Sequence, residues 1–226
     1  MKTLKAIFLK ELKLGLRMNL LVYTVFLVPL FVMYVFTPIM PALFLETSLP
    51  LTFLSDYLFS QPLSIMLFVY FLFMQEAFVK EKAENNLETV LSSPVKPVDL
   101  WLGKTVAVFV LSYVVMVLIS FVFVFVSFVF MGVLVVSLVS VLSFLVLLPL
   151  VALFFFGLSG ILALTLKNVN LAGVPLILLA LLFFFLKNNV FNSLTIFVIP
   201  MLALFGFVVQ YFYVKKMSKS RIILSV

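Results

Sequence analysis

Apolar residues in this chain come in runs of about twenty, set apart by short stretches that hold nearly all of its charge. A hydrocarbon core about 30 Å thick takes roughly 20 residues of helix at 1.5 Å rise each. Measured with that ruler, the runs predict six transmembrane helices, over residues 20–40, 63–79, 105–130, 136–166, 171–186 and 194–214. Between Thr105 and Leu166 there is no charged residue, and the stretch is about twice one span. It therefore predicts two helices that turn near Met131 and Gly132. The fifth run is short and leaves open whether it crosses fully or re-enters. The run from Leu20 to Met40 is long enough to span, and its basic lead is longer than that of a signal peptide, so it predicts a retained helix.

Two polar segments carry their own periodicity. In residues 2–17, a helical projection brings Lys2, Lys10, Lys13 and Arg17 into one sector. Leu4, Ile7, Phe8, Leu12, Leu14 and Leu16 spread over the rest, with Lys5 and Glu11 at the borders. That pattern predicts an amphipathic helix in the headgroup layer, or a basic anchor for the first span. In the loop 80–104, Ala83, Leu87, Val90 and Leu91 recur at helical spacing, and Lys80 and Glu84 are placed for an i,i+4 pair. Ser92, Ser93 and Pro94 stop that helix, because proline disfavours helical geometry in the residue before it. Pro97 and Asp99 suit the first turn of the next helix. The loop balances four basic residues against four acidic ones. It is not polybasic, so it suits protein docking or a solvated connection better than lipid binding.

Composition and charge sharpen this picture. Of 226 residues, 66% are apolar and 10% charged, far from the roughly 45–50% apolar share of soluble domains. Lipid is the solvent this chain is built for. Of its fifteen basic residues, only Lys187 falls on the side of the 41–62 loop, which carries Glu46 and Asp56. Positive charge stays cytoplasmic, which places both termini inside and requires an even number of spans. There is no cysteine and no histidine, hence no disulfide, no thiolate metal site and no imidazole base. The serine rows of the third and fourth spans, Ser112, Ser120 and Ser127, then Ser137, Ser140 and Ser143, lack a base and suit helix packing, as do Gly157, Ser159 and Gly160. The predicted spans hold no ionisable group at their centres. Glu76 lies at the cytoplasmic end of the second, near Lys80. Without an internal proton or ion relay, any uphill transport would draw its energy from a partner.

The 80–104 loop resembles the signature stretch of the type-two ABC exporter permeases. Glu81 and Glu84 match the family's acidic lead, and Leu87-Glu88, Leu91, Ser93-Pro94 and Gly103-Lys104 match the rest of its pattern, with Asn85-Asn86 where Gly-Thr is usual. The resemblance covers essentially the whole chain. It implies an all-α integral membrane protein, with an amphipathic interfacial helix over 1–19, a six-helix transmembrane domain over 20–226, and both termini cytoplasmic. It further implies a coupling helix that docks on a separate ATPase through Glu84, Leu87, Glu88, Leu91 and Pro94. ATP and magnesium would then belong to the ATPase subunit, with no cofactor, metal or catalytic residue in this chain. A second permease chain, identical or related, would complete the path for an exported cargo. The setting would be a multi-pass protein of a prokaryotic plasma membrane, in contact with the lipid bilayer and with no nucleic acid. Gly103-Lys104-Thr105 also resembles the end of a phosphate-binding loop, but that motif needs glycine where Val98 stands. Two rival readings remain at this level. One is a membrane scaffold that recruits another cytoplasmic protein; the other is a stand-alone secondary transporter, which needs broken helices around a polar midplane site.

Overall fold

The computed structural model describes residues 2–17, 66–84, 86–131, 143–166, 169–178 and 193–223. The predicted first span, the 41–62 loop, the turn at Gly132 and much of the fifth span lie outside the described residues. Within them the chain is helical throughout, with no strand. Helix α1 is Lys2–Arg17. Helix α2 runs from 66 to 83 and contains a wide π turn, Gln75–Lys80. A two-turn helix, α3, is Asn86–Ser92. Helix α4 is Pro97–Met131. Helix α5 opens with a π turn, Ser143–Leu147, and continues over Leu148–Thr165. A 3-10 turn, Val169–Gly173, leads into the short helix α6 up to 178. Beyond it come helices α7, Ser193–Lys215, and α8, Lys219–Ile223.

The boundaries have local causes. Helix α3 stops where the Ser92 and Ser93 hydroxyls turn back onto the Thr89 and Val90 carbonyls, just before Pro94. Helix α4 starts at Pro97, whose missing N–H costs nothing in a first turn, and the N–H groups of Asp99 and Leu100 bind the Lys96 carbonyl. In α5, Pro149 cannot donate to the Leu145 carbonyl, and the helix widens into the π turn there.

Among the described residues, three helical stretches are long and apolar enough to cross a membrane: Pro97–Val122, Leu145–Thr165 and Val198–Lys215. They correspond to predicted spans three, four and six. Their outer faces are apolar, with Leu118, Phe121 and Phe125 on α4 and Met201, Leu202 and Phe205 on α7 all exposed. Lipid-facing surface has this composition, and the chain is an integral membrane helical protein. Helix α4 has 35 residues, a length of about 52 Å that exceeds a hydrocarbon core by roughly 20 Å.

Helices α4, α5 and α7 pack on one another, and α2 leans on α5. Small residues set the spacing. A methyl group added at Gly160 of α5 would come within 2.8 Å of Thr105 Oγ1 and 3.2 Å of the Trp101 ring, so α4 lies almost directly on the α5 backbone. Side-chain donors then tie the bundle to α5 carbonyls. The Tyr70 hydroxyl donates to Phe156 O, Trp101 Nε1 to Gly157 O and Gln210 Nε2 to Phe154 O, each at 3.0 Å. The Tyr70 ring also stacks on Phe156.

Gly160→Val should therefore force α4 and α5 apart. We expect a loss of about 1–3 kcal/mol, read as a lower melting midpoint of the detergent-purified chain. An unchanged midpoint would mean that the two helices do not touch there.

Candidate functional site

Among the described residues, buried polar chemistry gathers where α1 and the end of α2 meet the first turns of α4. Its centre is Lys104, only 1% exposed. Helix α1 lies along the first turns of α4, and the stripe Thr3, Ile7, Glu11 and Gly15, spaced by four, forms the contact. The Thr3 hydroxyl donates to Asp99 Oδ2 at 3.2 Å, Ile7 covers Gly103, and Gly15 meets Leu111. Within this stripe Glu11 is buried, and its Oε1 accepts from Lys104 Nζ at 2.7 Å. From α2, the Ala77 carbonyl, inside the π turn, accepts from the same ammonium at 2.6 Å. Glu81 Oε2 lies 2.8 Å from it but out of line for a hydrogen bond, so that contact is ionic. The ring of Phe78 sits beneath, 5.6 Å from Nζ. Lys10 Nζ closes the group on Glu81 Oε1 at 2.9 Å.

The titration of Glu81 and Lys10 is set by their neighbours. Burial pushes the Glu81 carboxyl up, but the adjacent charge of Lys104 and the hydrogen bond and charge of Lys10 outweigh it, and its pKa falls below the ordinary value. Burial likewise opposes the charge of Lys10, yet its bond and attraction to Glu81 prevail and its pKa is raised. Beside the cluster a cleft of about 500 Å³ opens between α1, α2 and α4, edged by Lys10, Glu76 and Lys80 and floored by Leu14, Phe73 and Leu111.

Three sequence expectations change here. Glu11, placed at the border of a basic sector, is buried, because its partner arrives from α4. Lys80 pairs with Glu76 at 3.2 Å and not with Glu84. Helix α2 ends at Ala83, and the Glu84 carboxylate accepts from Asn86 Nδ2 at 2.8 Å. The break also turns Ala83 outward, off the face it was predicted to share with Leu87, Val90 and Leu91.

Helix α3 sits on the end of the bundle, and the five predicted docking residues divide across it. Leu87 and Leu91 point inward, 0% and 1% exposed, into the core that holds Trp101 and Leu164. Glu84 and Pro94 are exposed, as are Asn86, Thr89 and Ser92. Glu88 belongs to α3, with its side chain outside the described residues. The apolar pair thus seats the helix, and a polar face is left outward.

Two lysines that the sequence pattern does not single out complete the site. Lys82 is buried, and its Nζ donates to Leu166 O at 2.6 Å and Ala163 O at 3.3 Å, capping the last turn of α5. Burial lowers its pKa. Lys219 of α8 reaches the end of α3 in the same way. Nothing in a loop of mixed charge and a basic tail marks either residue as a cap, since the carbonyls they bind come from distant segments. No protein-family model, curated protein or solved structure matches the chain.

Removing Lys104 leaves the buried Glu11 carboxylate without its cation, beside the partly buried Glu81. Lys104→Met should cost about 3–5 kcal/mol, seen as a collapse of the melting midpoint, and an unaltered midpoint would refute the cluster's structural role. Acid acts on the same group. Since the folded pKa of Glu81 is depressed, its stabilisation is present above the ordinary carboxylate range and is lost as pH falls through the folded value. Melting of the parent chain should weaken across that window, and Glu81→Gln, weaker at neutral pH, should show a flatter profile.

Proposed function

We propose that this chain is the transmembrane subunit of an ATP-driven exporter of the type-two ABC class, with α3 as the helix that docks on a separate ATPase subunit. One observation carries the reading. A two-turn helix stands at the end of an apolar bundle, seated by Leu87 and Leu91, and turns Glu84, Asn86, Thr89, Ser92 and Pro94 outward. A connection of no consequence would not bury two leucines to hold a polar face in one orientation.

The rest of the proposal extends from the sequence. Six spans place the 80–104 loop and both termini in the cytoplasm of a prokaryotic plasma membrane, on the positive side of the charge asymmetry. Helix α4 outreaches the hydrocarbon, so its first turns, with Asp99 and Lys104, stand at the cytoplasmic boundary alongside α1. Two such chains, identical or related, enclose the cargo path, and two ATPases supply ATP and magnesium. Binding then works on the membrane part through contacts already described. Glu81 and Lys104 link the loop to α1 and α4, and Lys82 links it to the end of α5.

The test is a mild-detergent pull-down of the tagged chain. The parent should recover an ATPase subunit. Glu84→Lys, on the outward face, should weaken that recovery by about tenfold or more without moving the melting midpoint. Leu91→Asp should instead unfold the chain, because it buries a charge in the seat. A folded parent that recovers no ATPase, but another cytoplasmic protein, would turn the reading into a membrane scaffold.

A further inference from the structure

A helix as short as α3 does not hold itself. Seven residues are about two turns, well below the length at which an isolated helix persists in water. Its last carbonyls have no partners within the helix. The Ser92 and Ser93 hydroxyls bind the carbonyls of Thr89 and Val90. The carbonyls of Leu91 and Ser93 both go to one donor from elsewhere, Lys219 Nζ, at 2.9 and 2.6 Å. A lysine ammonium suits that place, since the carbonyl end of a helix carries partial negative charge.

Lys219 is itself held. Its short helix α8 is anchored by Ile222, which is 0% exposed and belongs to the same core as Leu87 and Leu91. The chain reaches α8 directly from α7 through a tight turn, in which the Lys216 N–H binds Phe212 O and Tyr213 O and the Met217 N–H binds Val214 O. Only three residues, 216–218, separate α7 from α8. The end of a candidate membrane-crossing helix is thereby fastened to the end of α3.

We propose that Lys219 is a positioning residue. It fixes the orientation of α3 on the bundle and joins that helix to α7, so that α3 and α7 move together when a partner binds. The orientation of α3 is independent of any particular partner, while its purpose rests on the docking reading above.

The absence of cysteine from the sequence makes the test direct. Spin labels on Thr89→Cys and Ser220→Cys in the full chain, reconstituted in lipid nanodiscs, report the distance between α3 and α8. The parent should give one narrow distribution. Lys219→Gln should broaden it, and Lys219→Arg, which keeps charge and donors, should restore it. Should Lys219→Gln fail to fold, Ile222→Ser, which loosens α8 and keeps the ammonium, is expected to broaden the same distribution. A narrow, unshifted distribution in the folded Lys219→Gln chain, or in Ile222→Ser in its place, overturns the inference.

Binding separates this from the docking reading. If the parent chain recovers an ATPase subunit, Lys219→Gln should lower its affinity roughly 5- to 30-fold. Equal affinity in parent and variant with unchanged distances sinks the positioning role and leaves the exporter reading standing. No ATPase from the parent, with distances that broaden in Lys219→Gln, sinks the exporter reading and leaves the positioning role standing.

Discussion

Withdrawing a lysine ammonium from water is costly unless hydrogen-bond acceptors and a counter-charge lie close to it. In this chain Lys104 of α4 meets that condition with groups from two other helices, Glu11 of α1 and both Glu81 and the Ala77 carbonyl of α2. None of the four can shift by a turn without stranding a buried charge. The requirement therefore fixes the register of α1 along α4 and the place where α2 ends. Once α2 ends at Ala83, the position of α3 is set as well, because only Glu84 and Asn85 lie between them.

The neighbouring polar contacts obey the same rule. In an apolar surrounding each polar group must find its partner within the protein, and here the usual partner is a helix carbonyl. Lys82 and Lys219 take the free carbonyls at the ends of α5 and α3, and Tyr70, Trp101 and Gln210 take carbonyls along α5. These bonds differ in kind from the Lys80–Glu76 pair, which is solvated on both sides and contributes little. Glycines at the crossings make the backbone reachable. Together these contacts join the α2–α4 connection to α5 and α8.

Much of this was legible in the chain itself. Apolar runs of about twenty residues announce membrane helices whatever their neighbours, because the cost of placing a helix in lipid is a sum over its own side chains. The stop at Pro94 and the start at Pro97 are equally local, since proline constrains its own turn and the residue before it. Gly103 and Lys104 stood out in the sequence as motif positions. Their physical roles, as the close approach of Ile7 and as the buried cation, came only with the packing.

The sequence by itself determined an all-helical, membrane-embedded chain with one charged loop of mixed sign and a short helix inside it. Tertiary structure alone decided that Glu11 turns inward, that Leu87 and Leu91 seat α3 and leave its polar face outward, and that Lys82 and Lys219 cap helices other than their own. The reason is distance along the chain. The Glu11 partner of Lys104, the Leu166 partner of Lys82 and the Leu91 partner of Lys219 stand 93, 84 and 128 positions away, and hydropathy or helical periodicity reaches only a few turns.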